Sequence, residues 1–137
     1  MAMFEVSGVD RDIHDRELTE FLPDRFIDVH THVWLDRHKR HGPEDHARTV
    51  SWPSLVAKEC SIDDLEKSYR LMFPGRSVKA LVFSSVSADD DVDAMNAYIA
   101  DAGRSHNHPT LMYAFPAWSG KDVDRRIRAG RFLGVKV

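Results

Sequence analysis

Phe26-Ile27-Asp28-Val29-His30-Thr31-His32-Val33-Trp34 is the stretch on which the reading of this chain turns. Its alternating apolar residues predict a buried β-strand that ends in two histidines one residue apart. Strand geometry sends successive side chains to opposite faces, so His30 and His32 are expected on one side, about two residue rises apart. Two imidazoles so spaced at a strand end can grip one divalent metal ion. Asp28 is expected on that same face, where it could orient a ligand. A lone His-x-His is a weak pattern. The setting strengthens it: an apolar run leads into the pair, and the pair sits where the strand gives way to a loop.

The 137 residues are expected to form a single domain, residues 1–137, with a core of its own. A net charge of −3 makes no electrostatic case for nucleic acid or an anionic membrane as partner. Cys60 is the one cysteine, which excludes an intrachain disulfide and points to a reducing, cytoplasmic compartment. The first residues carry no basic and apolar leader pattern, and no apolar run reaches membrane-spanning length.

Residues 1–24 read as a polar arm with a short helix, capped by Asp12 or Asp15 and followed by Pro23; His14 is expected to be solvated. Residues 35–60 form a long connection holding His38, His41 and His46 among Arg37, Lys39, Arg40 and Arg48. Connections of that length are usually functional loops or disordered ones. A cationic loop beside a metal could grip a carboxylate through His38 and Arg40.

Ser61 and Asp64 form a capping-box pattern ahead of the apolar stripe Ile62, Leu65, Tyr69 and Met72, and Pro74-Gly75 stops that helix. Residues 78–83 read as a second strand. Asp89-Asp90-Asp91 opens the next helix as caps rather than as a metal cluster, and Gly103 is expected to close it. His106 and His108 repeat the His-x-His spacing before a strand rather than after one, and read as a surface turn. Residues 110–115 form a third strand. Ser119 caps a helix with Val123 and Ile127 on its inner face, closed by Gly130, and residues 132–137 form a fourth strand.

The resulting order, β-α-β-α-β-α-β, predicts an α/β fold with parallel strands. Either half of a (β/α)₈ barrel or a small doubly wound sheet satisfies the pattern. No dinucleotide-binding glycine fingerprint or P-loop is present, which removes the main support for nucleotide binding. Ligands in such folds collect at the carboxyl ends of the strands. Those ends hold His30 and His32, then Ser84 and Ser85, then Phe115 and Trp118, then Lys136. Trp34 and Trp118 could wall an organic substrate.

Residues 26–34 resemble the first-strand metal motif of the amidohydrolase superfamily, and more narrowly its amidohydrolase-related branch. The arm, the long first loop and the Gly134-Val135-Lys136-Val137 strand follow in the order of that family. The resemblance implies a TIM-type (β/α) barrel, represented by its first four strands, and a divalent ion, zinc first, with manganese or iron as alternatives. It implies hydrolysis of a small organic substrate by a metal-activated water, with His30 and His32 as ligands. Lys136 matches, weakly, the fourth-strand lysine that is carbamylated in binuclear members. Some members decarboxylate or hydrate instead. A full barrel needs about 250 residues, so the remaining ligands and the catalytic residues are expected beyond Val137, and this piece alone is expected to be inactive. Two other readings stand beside it: a phosphoesterase of the polymerase-and-histidinol-phosphatase type, whose short first loop fits poorly, and a non-catalytic half-barrel that pairs its open edges in a homo-oligomer.

Overall fold

The strand before the histidines is β1, Arg25–His32, paired in parallel with β2, Ser77–Phe83. The computed structural model describes residues 5–39, 57–86 and 90–136. Opposite partners in a parallel ladder share a face. Phe26, Asp28 and Thr31 therefore lie with Val78, Ala80 and Val82, against the helices. Ala80 and Val82 are fully buried there.

The ladder is not regular. Asp28 pairs with Ala80 and Thr31 with Val82, so β1 takes three steps where β2 takes two. That extra residue is a β-bulge, and it inverts the alternation beyond it. Asp28 and Thr31 share the helix-facing side, while His32 pairs with Phe83 on the other. Asp28 is thus not on the face of the histidines, because the expectation assumed an unbroken pleat.

Ser61 caps α2, Ile62–Met72, in the reciprocal arrangement expected: its Oγ accepts the Asp64 N–H at 3.2 Å, and Asp64 accepts the Ser61 N–H at 3.1 Å. Ile62, Leu65 and Tyr69 are buried, whereas Met72, at the frayed end of the stripe, is 41% exposed. The next helix, α3, spans Val92–His106 from the Asp91 cap. It runs past Gly103 and stops at Asn107, which takes the left-handed conformation at φ 55°. Gly103 has a different purpose. A Cβ there would meet Thr110 Cγ2 at 2.3 Å and the His108 carbonyl at 2.9 Å, so the turn into the third strand packs onto bare backbone. Gly103→Ala gains up to about 1 kcal/mol of helix propensity, but the clash costs about 1–3 kcal/mol. The contact wins, and a lower urea midpoint is the expected result.

Strand β3, Leu111–Tyr113, stands beside β2 through the parallel bridge Val82–Thr110 and pairs in parallel with β4, Gly134–Lys136. Buried Asn96 of α3 fixes β3 by donating to the Tyr113 carbonyl at 3.0 Å and accepting its N–H at 2.9 Å. Helix α4, Gly120–Gly130, starts at Ser119 as expected, and Arg131 supplies its left-handed end at φ 57°. Val123 and Ile127 of α4 pack on one core cluster with Leu65, Ile99, Val82 and Met112, so all three of these helices cover the same face of the strands. The described residues form a mixed α/β unit with two small parallel sheets, β1-β2 and β3-β4.

In the arm, α1, Gly8–Ile13, is capped by Ser7 rather than by Asp12 or Asp15, and it continues into a wider π turn over His14–Leu18. His14 is not solvated: its side chain is 13% exposed and contacts Asp15 and Thr19 within that turn.

His108 is not on a surface turn either. Its side chain is 4% exposed, and Nδ1 accepts the Ala80 N–H at 3.2 Å across to β2. The signal missed was long-range, since only the fold brings β2 over residue 108. Burial pushes the His108 imidazole below its ordinary range; the Glu66 carboxylate opposes this, and Lys79 and His106 add to it. A base whose pKa is lowered by folding gives stability that is fully present above the unfolded value, about 6.5, and lost as pH falls below it. The melting temperature should therefore drop between pH 7 and pH 5. His108→Gln, which cannot titrate, should flatten part of that slope. Some slope remains, because His32 and His38 are lowered in the same direction.

Candidate metal centre

The bulge delivers His30 and His32 to the strand end on the side away from the helices. Their Nε2 atoms face each other at 3.2 Å, with ring centroids 5.2 Å apart. Both rings stand edge-on to Phe83, at 5.1 and 4.6 Å, and this packing leaves Phe83 only 2% exposed. Phe83 was not singled out from the sequence, yet its place opposite His32 makes it the bed on which the pair rests.

Two imidazole lone pairs pointed at each other repel unless a proton or a cation lies between them. Zinc–imidazole bonds run about 2.0–2.1 Å. Two such bonds spanning the observed 3.2 Å would enclose an angle of about 100°, near the tetrahedral value. Burial lowers the His32 imidazole, with His30, Lys136 and Lys39 adding to the effect, while the Ser84 backbone opposes it. A neutral ring is the ligating form. His32 Nδ1 is buried without a partner at full hydrogen-bond geometry. The neighbouring Ser84 backbone still favours a proton on that ring, and a proton at Nδ1 leaves the lone pair on Nε2, facing His30.

Two nitrogens therefore fit a divalent ion, and the donor set stops there. Among the described residues no group of three or more His, Cys, Asp or Glu gathers around a point. Lys136 pairs with Tyr113 in the ladder, and its Nζ lies 5.8 Å from the Phe83 ring centroid, on the histidine side. An ammonium has no lone pair, so Lys136 in that form presents a charge rather than a ligand. Burial, then Asp64, pushes the Cys60 thiol up to about 11, so it stands protonated in the metal-free protein.

The start of the long connection is tied down over the strand ends. Lys39 donates to the Ser85 carbonyl and pairs with Asp90 at 3.1 Å, with side chains 18% and 1% exposed. The His38 carbonyl accepts the Asp91 N–H at 3.1 Å. The His38 ring accepts from Arg37 Nε at 3.2 Å, and burial, then the Arg37 charge, lowers its pKa. Trp34 closes the far end of the connection: its backbone pairs with Cys60, and its indole N–H donates to the Lys58 carbonyl at 3.0 Å. Arg40, His41 and His46 lie outside the described residues.

Trp118 lines an open cleft of about 320 Å³ with Phe115, Asp93 and Arg126. Its ring carries the Arg126 guanidinium 4.1 Å above it, and Arg126 also pairs with Asp93. Phe115 packs edge-on to Trp118 at 5.7 Å. The fold thus brings His30, His32 and Lys136 together around Phe83. It makes no hydrogen bond or ring contact from that pair to Trp34, His38 or Trp118 among the described residues.

On the helix side of β1, Asp28 is half-buried. Its Oδ1 accepts the His30 N–H at 3.0 Å and its Oδ2 accepts the Tyr69 hydroxyl at 2.9 Å. Burial raises the Asp28 carboxyl, but hydrogen bonds from His30, Tyr69 and Thr31 outweigh it and hold the group below the usual carboxylate range. Sequence reasoning read Tyr69 as part of a core stripe, Lys39 as one charge of the cationic loop and Asp90 as a cap, and missed the contacts they make here. No family model, curated protein or solved structure matches this chain.

Proposed function

We propose that the chain is the first four strands of a metal-dependent hydrolase barrel of the amidohydrolase-related kind, with His30 and His32 as two ligands of a divalent ion. The observation that carries this reading is the 3.2 Å facing of two Nε2 atoms at the carboxyl end of a parallel strand. Three features support the barrel behind it: parallel strands that neighbour one another in sequence order, helices packed on one face, and the histidines on the other. Ile27 is 63% exposed on β1 and Val135 40% exposed on β4. Further strands, of the same polypeptide or of a second copy, would cover these edges.

Zinc fits the paired imidazoles best, with manganese and iron as alternatives. An ion held there supplies Lewis acidity and lowers the pKa of a bound water towards neutrality. The protein's own residues do the rest. Lys136 presents a positive charge on the ligand side and would orient a substrate carboxylate. The buried Lys39–Asp90 pair fixes the first connection above the strand ends. Decarboxylation or hydration of a carboxylic acid is the second reading, favoured by the Lys136 charge near His32.

No helix among the described residues is long and apolar enough to cross a membrane. Calorimetric titration with zinc at pH 7.5 tests the site. One ion bound per chain is expected, and absence of saturable uptake overturns the reading. A screen of amides, esters and aromatic acids with a longer polypeptide that supplies the remaining ligands then separates hydrolysis from decarboxylation.

A further inference from the structure

We propose that Tyr69 of α2 is a positioning residue for the histidine pair, acting through Asp28 from the opposite face of β1; this rests on reading His30 and His32 as metal ligands. In an unbroken pleat, Asp28, His30 and His32 would share one face. The bulge between Asp28 and Thr31 separates them, so the bulge itself sets where the imidazoles point. A bulge costs the strand a ladder hydrogen bond, and the extra N–H needs another acceptor.

Here the His30 N–H finds it in Asp28 Oδ1, at 3.0 Å. The carboxylate is held in turn from behind. Tyr69 Oη donates to Asp28 Oδ2 at 2.9 Å and meets Thr31 Oγ1 at 3.1 Å, bridging the residues that flank the bulge. Thr31 is 5% exposed and Tyr69 7%, so the hydroxyl end of these bonds is shielded from water. The Tyr69 ring packs beside Phe73 in the core, which anchors the hydroxyl to the helix layer. The chain of contacts runs from α2 through Tyr69 and Asp28 to the His30 backbone, and ends at two ring nitrogens whose spacing must hold to a fraction of an ångström.

Tyr69→Phe removes the hydroxyl and keeps the ring. Asp28→Ala removes both acceptors, and Asp28→Asn keeps one for the His30 N–H. Nuclear magnetic resonance of the metal-free protein reads the His30–His32 ring contact and the exchange protection of the His30 amide. Wild type and Asp28→Asn are expected to show both, while Tyr69→Phe and Asp28→Ala lose them. Zinc affinity of Tyr69→Phe should fall roughly ten- to a hundredfold, the usual effect of losing support behind a ligand. An unchanged ring contact and amide protection in Tyr69→Phe overturns the proposal, even if that variant is less stable. If Tyr69→Phe does not fold, the Asp28→Ala and Asp28→Asn comparison decides: equal loss in both, or in neither, overturns it. Failure of wild type to take up zinc overturns the ligand reading instead, and the metal-free spectra still decide the role of Tyr69.

Discussion

Alanine at His30 or at His32 is expected to lower zinc affinity at least a hundredfold while leaving the fold intact. Structural zinc sites bind with about 10–16 kcal/mol shared over four ligands, or about 3 kcal/mol for each. A loss of that size is about a hundredfold in the dissociation constant. The two imidazoles share one gap, so the double variant should lose saturable uptake altogether. Competition against a chromophoric chelator measures both effects. The fold should tolerate the changes, because both rings lie away from the helix-side core. Partial exposure of Phe83 is the main structural consequence expected, since the rings cover it.

The second large effect concerns Lys39. Removing one member of a buried ion pair costs about 3–5 kcal/mol, because the remaining charge is left without its counter-ion in a poorly solvated place. The Asp90 side chain is 1% exposed, and Lys39 reaches it from the loop after β1. Lys39→Ala is expected to cost about 3 kcal/mol in urea unfolding, the lower end of that range, because Asp90 keeps other contacts. The double change Lys39→Ala with Asp90→Ala should cost clearly less than the sum of the two single changes. A strictly additive result would show that the pair is not coupled. The same Lys39 variant should also loosen the hold of the first connection on the strand ends.

Much of the fold is legible in the chain because its signals are local. Ser61 with Asp64, Asp91, and Ser119 announce helix starts through side chains that cap within three residues, and the structure places all three caps there. The apolar runs before His30, through residues 78–83 and at residues 110–115 mark three strands on their own. Period-2 reasoning put His30 and His32 together, and the structure faces them at 3.2 Å.

What was not legible depends on partners distant in sequence. The bulge exists only in the register of β1 against β2, so nothing in residues 26–34 alone reveals that Asp28 turns away from the histidines. Gly103 looks like a helix end because glycine often is one. Its real requirement comes from Thr110 and the His108 carbonyl folding back onto it. The Lys39–Asp90 pair joins two loops, where charged residues carry no periodic pattern. His108 reads as turn chemistry until β2 supplies the N–H that it accepts.

The measurement that bears most directly on the metal reading is X-ray absorption at the zinc edge of the zinc-loaded protein. The expected result is imidazole scattering from at least two nitrogens at about 2.0–2.1 Å, reduced by one in His30→Ala. A coordination sphere of oxygen scatterers alone, or one that is the same in the His30→Ala, His32→Ala double variant, would contradict it.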